Sequence, residues 1–198
     1  LLRDPGALAR LQREAQLLGG AAAPGVVRLL DAGQADGVPF LVYELLEGAR
    51  PLDEALRDRP LAERLRLLHA AAEALGALHA RGVLHRDLSP GNVLVDAAGA
   101  VWLTDLGHGL GPSPSALTRT GEILGTAGWV APEVGLGGSR AATAASDVWS
   151  LGALLFLALT DSHPFPGLGL AQGLAALRAG APSPRARGPA LPLALDRM

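Results

Sequence analysis

The stretch His85-Arg86-Asp87-Leu88-Ser89-Pro90-Gly91-Asn92, followed thirteen residues after Asn92 by Asp105-Leu106-Gly107, decides the reading of this chain. Two loops so spaced can supply one carboxylate as a base, Asp87, and two hard oxygen donors for a divalent cation, Asn92 and Asp105. Phosphoryl transfer asks for that combination, because a hydroxyl must be oriented and deprotonated while charge on the phosphates is neutralised. A single Asp or Asn on a loop more commonly closes an Asx-turn. The order and spacing of the three therefore carry the reading, rather than any one residue type.

The flanks of these loops read as regular elements. Leu61, Leu65, Leu68, Ala72, Leu75 and His79 recur at helical spacing, and Arg81-Gly82 supplies a stop. Short strands are expected at Val83-Leu84, Val93 to Val95 and Val101 to Thr104, so that both loops sit on turns beside a rigid helix. Upstream, Val26 to Asp31 and Pro39 to Tyr43 read as a hairpin turned by Gly33 to Gly37. Before it, Asp4-Pro5 opens a helix over about residues 5 to 18, closed by Gly19-Gly20. Its Glu14 falls between Leu11 and Leu18 on the apolar face; taken alone, it reads as a boundary ion pair. Downstream, helices are expected around Ser146 to Leu159 and Leu168 to Arg178, separated by His163-Pro164-Phe165-Pro166, with an extended Pro-rich run over 179 to 192.

Composition bounds the alternatives. A chain of 198 residues with 49% hydrophobic content can bury one core. Its formal net charge of -2 gives no electrostatic reason to expect nucleic acid or an anionic membrane as partner. The absence of Cys excludes a disulfide framework, a thiol nucleophile and Cys-ligated zinc, and is compatible with a cytoplasmic setting. The apolar run Leu151 to Thr160 is too short to span a bilayer and reads as a buried helix. The 17 basic residues are all Arg, so no Lys is present to grip a nucleotide's phosphates.

In their order, these motifs resemble a eukaryotic-like, bacterial-type protein Ser/Thr kinase domain across nearly the whole chain. His85-Arg86-Asp87-Leu88-x-x-x-Asn92 is similar to the catalytic loop, Asp105-Leu106-Gly107 to the metal-binding loop, and Ala131-Pro132-Glu133 to the end of the activation segment. Asp147-Val148-Trp149-Ser150-Leu151-Gly152 resembles the opening of the family's central helix, and His163-Pro164-Phe165 the turn after it. The resemblance implies an α+β, protein-kinase-like fold, with residues 1–47 a remnant of the smaller lobe and 48–198 the mostly helical larger lobe, incomplete at its end. It implies ATP and Mg²⁺ as cofactors, with Asn92 and Asp105 on the metal. The partner it implies is a protein presenting a Ser/Thr acceptor.

By the same resemblance, Asp87 is the base and Arg86 pairs with a phosphorylated activation-loop residue, for which Ser113, Ser115, Thr118 and Thr120 are candidates. His85 and Leu106 join an internal apolar stack with Leu18. Tyr43 stands at the back of the adenine pocket, with backbone groups of Glu44 and Leu46 meeting the base, and Glu14 is the carboxylate that pairs with the phosphate-holding Lys. Thr126 argues for Ser/Thr acceptors, and Trp129 stands where Tyr is usual.

Departures are specific. Leu106 replaces the usual Phe, Ser89 replaces a Lys that contacts the transferred phosphate, and the Gly-rich loop and strand Lys have no counterpart. Leu1-Leu2-Arg3-Asp4 resembles the residues that follow that Lys, so truncation is expected to have removed it, along with the Arg that would partner a buried Glu133. The 198 residues alone are then expected to be inactive. Two other functions share parts of the pattern: a binding-only pseudokinase, and a small-molecule phosphotransferase, against which Ala131-Pro132-Glu133 argues.

Overall fold

The structure, a computed structural model, describes residues 23–36, 38–106, 129–165 and 182–187. The expected helix over 5–18, the loop over 107–128 with its phosphosite candidates and Thr126, and the helix over 168–178 lie outside the described residues.

An antiparallel hairpin comes first, β1 (Leu29–Ala35) with β2 (Val38–Tyr43). Its register pairs Ala35 with Val38, so only Asp36 and Gly37 connect the strands, and Asp36 takes φ +51°. Asp-Gly is a favoured pair for a two-residue connection. The turn is thus shorter than the expected Gly33 to Gly37, and Gly33 lies within β1. The reason is local: Gly33 faces Phe40, and a Cβ there would come within 2.5 Å of the Phe40 ring. The expected strand start at Val26 is also corrected. Val26 instead forms an isolated parallel bridge with Leu103.

A three-stranded antiparallel sheet follows, in the order β3 (Arg50–Pro51), β4 (Val93–Val95), β5 (Val101–Leu103). After β3 the chain makes a short helix, α1 (Leu52–Leu56), which sequence reasoning missed. Leu52, Ala55 and Leu56 are buried at i, i+3 and i+4, and Asp53 and Glu54 complement the dipole of its first turn. The long helix α2 (Leu61–His79) has the expected limits and buries Leu67, Leu68, Ala71, Ala74, Leu75 and Leu78. Its end is a Schellman motif: the Val83 amide donates to the Leu78 carbonyl, the Gly82 amide to that of His79, and Gly82 has φ +72°.

Beyond the second loop come α3 (Pro132–Gly137), also missed, and α4 (Ala144–Thr160). Thr143 and Ser146 form a capping box at the start of α4. The two long helices pack together and α2 also packs against β5, with Leu78, Leu88, Leu103 and Leu154 in one core. At the far end, Arg64 of α2 donates to the Ala158 carbonyl and, at 2.6 Å, to the Asp161 carboxylate. No helix among the described residues is long and apolar enough to cross a membrane. In the run expected to be extended, Pro184–Ala186 form a 3-10 turn, opened by the Ser183 hydroxyl accepting the Arg185 amide.

Candidate active site

The thirteen-residue spacing between Asn92 and Asp105 is the length of one hairpin. Asn92 ends a 3-10 turn (Pro90–Asn92) and leads directly into β4, while Thr104 and Asp105 follow β5. The open end of the hairpin is closed by the Thr104 amide donating to the Asn92 carbonyl at 3.0 Å. At the tip, the Asp96 carboxylate accepts the Ala98 and Ala100 amides and the Trp102 indole N–H. The Trp102 bond, followed by that of Ala100, holds the Asp96 carboxyl below its usual range. Residues far apart in sequence are thereby set side by side.

Asp87 is drawn to the same point. The Asn92 Nδ2 donates to the Asp87 carbonyl at 2.8 Å and to its Oδ2 at 3.1 Å. An amide has one donating and one accepting end. With Nδ2 turned to Asp87, the Asn92 Oδ1 is left as the end available to a cation. Asp105 takes the left-handed backbone, φ +58°, immediately after the hairpin closes. Asp87, Asn92 and Asp105 are all half-buried.

Sequence reasoning expected a strand at Val83-Leu84; none forms, because the backbone there has other partners. The Val83 amide belongs to the cap of α2, and the His85 and Arg86 amides go to a carboxylate. Asp147 Oδ2 accepts the His85 amide and Oδ1 the Arg86 amide, each at 2.8 Å, and the His79 Nε2 lies 2.8 Å from Oδ2. Asp147 is 2% exposed, so these charge-assisted bonds form away from water. They hold Arg86 at φ +68°, a conformation few side-chain-bearing residues adopt without support. The sequence quoted Asp147 only as part of a motif. Its role depends on a contact across more than sixty residues, which no local pattern signals.

His85 is fully buried and both of its ring nitrogens lack hydrogen-bond partners. Burial pushes its pKa down to about 4, against the opposing pull of Asp147 and, more weakly, Asp105. It is held as a neutral ring in the interior, where Leu88 and Leu106 are buried as well. Arg86 has a buried Nε without a hydrogen-bond partner.

The remaining predicted residues divide. Glu14 lies outside the described residues. Tyr43 ends β2 and is half-buried. The Glu44 carboxylate closes on Arg28, accepting its amide at 2.7 Å and its Nε at 3.0 Å; the amide bond leads in holding the carboxyl below its usual range. The Glu44 side chain and amide are thus both committed to Arg28, and the Leu46 carbonyl accepts the Ala49 amide, so the Glu44 carbonyl and the Leu46 amide are the backbone groups outside these bonds. Glu133 is exposed rather than buried, which corrects the expected cost of a missing Arg partner; the Ser146 hydroxyl donates to its Oε1 at 2.6 Å.

No group of three His, Cys, Asp or Glu able to hold a metal occurs among the described residues. The donors fit Mg²⁺ nonetheless, since this ion is commonly bound by one or two protein oxygens together with phosphates and waters.

Residues 3–177 match the family model described as protein kinase domain. Among curated relatives, the chain is 34% identical over 166 residues to the probable serine/threonine-protein kinase PknB of Lactococcus lactis, covering 83% of this chain and 26% of that protein. It is 33% identical over 175 residues to serine/threonine-protein kinase PknB of Mycobacterium tuberculosis, covering 84% and 28%. With serine/threonine-protein kinase PrkC of Bacillus subtilis it shares 31% identity over 192 residues, covering 96% and 29%. The chain therefore spans under a third of the length of these relatives.

Proposed function

The chain belongs to the protein kinase domain family, of the bacterial Ser/Thr type, and on that premise we propose that it transfers the γ-phosphate of ATP to Ser and Thr hydroxyls of protein substrates. The single observation that carries this is the meeting of Asp87 and Asn92 at the mouth of the hairpin that delivers Asp105.

In this reading Asp87 orients the acceptor hydroxyl and takes its proton. Asn92 has two tasks that its amide separates: Nδ2 steadies the Asp87 carboxylate, and Oδ1 joins Asp105 on the metal side. Mg²⁺, when bound by Asn92 and Asp105, neutralises charge across the phosphates. Arg86, with its buried unpaired Nε, receives a phosphorylated residue of the loop over 107–128. Tyr43, the Glu44 carbonyl and the Leu46 amide receive the adenine; residues 1–47 belong to the smaller lobe and 48–198 to the larger. No nucleic-acid partner and no membrane contact within these residues enter the reading.

The intact protein should transfer labelled phosphate from ATP to a Ser/Thr protein, and Asp87→Asn should lower the rate at least about a hundredfold without altering the fold. Equal labelling by both would remove Asp87 from the role of base.

One observation favours a second reading. The sequence holds no Lys, so within these residues the α- and β-phosphates lack the cation the family supplies. The 198 residues alone are then expected to transfer no phosphate. An intact protein also lacking such a residue would act as a binding module, detected as retained partner binding with no phosphate incorporation.

A further inference from the structure

β2 ends at Tyr43, which faces Leu29, so the next facing residues along the hairpin are Arg28 and Glu44. Facing residues of an antiparallel ladder that hydrogen-bond at all exchange two main-chain bonds, each amide donating to the other's carbonyl. Only half of that exchange forms here: the Glu44 amide donates to the Arg28 carbonyl at 3.0 Å. The reciprocal donor, the Arg28 amide, goes instead to the Glu44 carboxylate, 2.7 Å from Oε1, while the Arg28 Nε donates to Oε2 at 3.0 Å. A side chain has intercepted the ladder, and the Glu44 carbonyl is released from it.

Arg28 is held from the other side as well. The Val27 amide donates to the Leu103 carbonyl at 2.9 Å and the Leu103 amide to the Gly25 carbonyl at 2.8 Å, which ties the segment before Arg28 to the end of β5, two residues short of Asp105. The Arg28 amide therefore stays beside residue 44 whatever side chain stands there. Such an amide needs an acceptor, and without the carboxylate the one at hand is the residue 44 carbonyl. A carbonyl drawn into that bond would turn toward the Arg28 strand. Left free, it serves as an acceptor two residues before the Leu46 amide, a donor, since the carbonyl of Leu46 is taken by the Ala49 amide at 3.2 Å. An acceptor in this position suits the 6-amino group of adenine and opposes the 6-oxo group of guanine.

We propose that the Glu44 carboxylate is a specificity-determining positioning residue: by occupying the Arg28 amide, it keeps the Glu44 carbonyl free to accept the 6-amino group of adenine. The proposal rests on the adenine reading above. The carboxylate itself does not touch the base, so its loss costs discrimination between bases rather than nucleotide binding as a whole.

The test measures the affinity of the intact protein for ADP and for purine riboside 5′-diphosphate, which differs only in lacking the amino group. The unaltered protein should bind ADP about tenfold more tightly, the worth of one hydrogen bond. Glu44→Met, which keeps the stem and removes the acceptor, should bring the ratio close to one by weakening ADP alone. Glu44→Gln, which keeps an oxygen for the Arg28 amide, should restore the preference. A crystal structure of the Glu44→Met protein should show the Arg28 amide bonded to the carbonyl of residue 44; should that variant fail to fold, Glu44→Ala is read in the same way. A preference for ADP that survives Glu44→Met, or equal weakening of both nucleotides, overturns the proposal, as does an Arg28 amide that stays off the carbonyl. Failure of the unaltered protein to prefer ADP overturns the adenine reading instead, and the crystal structure alone then decides whether the carboxylate keeps the carbonyl out of the ladder.

Discussion

Ser146, Asp147 and Ser150 lie in a sealed interior where each side-chain oxygen has a hydrogen-bond partner, and His85 is buried there as a neutral ring, while along β2 the side chains of Val38, Phe40 and Val42 face outward at 61, 41 and 38% exposure. The loop-bearing region spends buried hydrogen bonds to hold backbone in unusual shapes, such as Arg86 at φ +68°. The β1–β2 hairpin holds itself mainly by its ladder, the Arg28–Glu44 clasp and one aromatic ring over Gly33. Precision at the candidate site is therefore concentrated on one side of the molecule, and tolerance to substitution should be divided in the same way.

The sharpest way to break this contrast is Asp147→Ala. It strips the acceptor from the His85 and Arg86 amides and from His79, and should destabilise by about 3–5 kcal/mol in chemical denaturation. A loss under about 1 kcal/mol would mean that the loop holds its own shape.

Second in size is a pH effect from His85. Its pKa is about 4 when folded, against 6.5 for an ordinary histidine, so the unfolded chain takes up a proton that the folded chain refuses. Stability is complete above about pH 6.5 and declines as the pH falls toward 4, by on the order of 3 kcal/mol. His85→Phe should flatten that slope between pH 6.5 and 4; an unaltered slope would assign it to other groups.

Gly25 tests the junction between the regions. It has φ +75°, its carbonyl accepts the Leu103 amide, and a Cβ there would lie 2.7 Å from that of Ala74 in α2. Gly25→Ala should cost about 2 kcal/mol through strain and overpacking. Smallest of all should be Val38→Thr on the exposed hairpin face, within about 0.5 kcal/mol. A larger loss there would reveal that the face is covered in solution.

Much of the site was legible because it is local. Helix α2 repeats its apolar positions at the helical period and stops at Gly82, so both ends could be read, and β4 and β5, the latter expected one residue too long, follow from apolar triplets around an Asp-x-x-Gly turn. The α1 and α3 helices, five and six residues long, are shorter than the period needs to declare itself. Val83-Leu84 has strand composition, yet the Val83 amide is claimed by a helix cap and the His85 and Arg86 amides that follow by a side chain from α4. Gly33 reads as a turn because nothing nearby shows that Phe40 will cover it. Glu133 reads as buried through the resemblance, whereas it is exposed and its carboxylate reaches inward to accept the hydroxyl of buried Ser146, thirteen residues later.

The β4–β5 hairpin closes at both of its ends, through Asp96 at the tip and through the Asn92 carbonyl and Thr104 amide at the base. Changes at the tip are thus insulated from Asn92 and Asp105 at the base. Ala97 and Ala98, both exposed, offer a place to graft a fluorophore or epitope that travels with the candidate site, with Gly99, at φ +82°, kept to hold the turn.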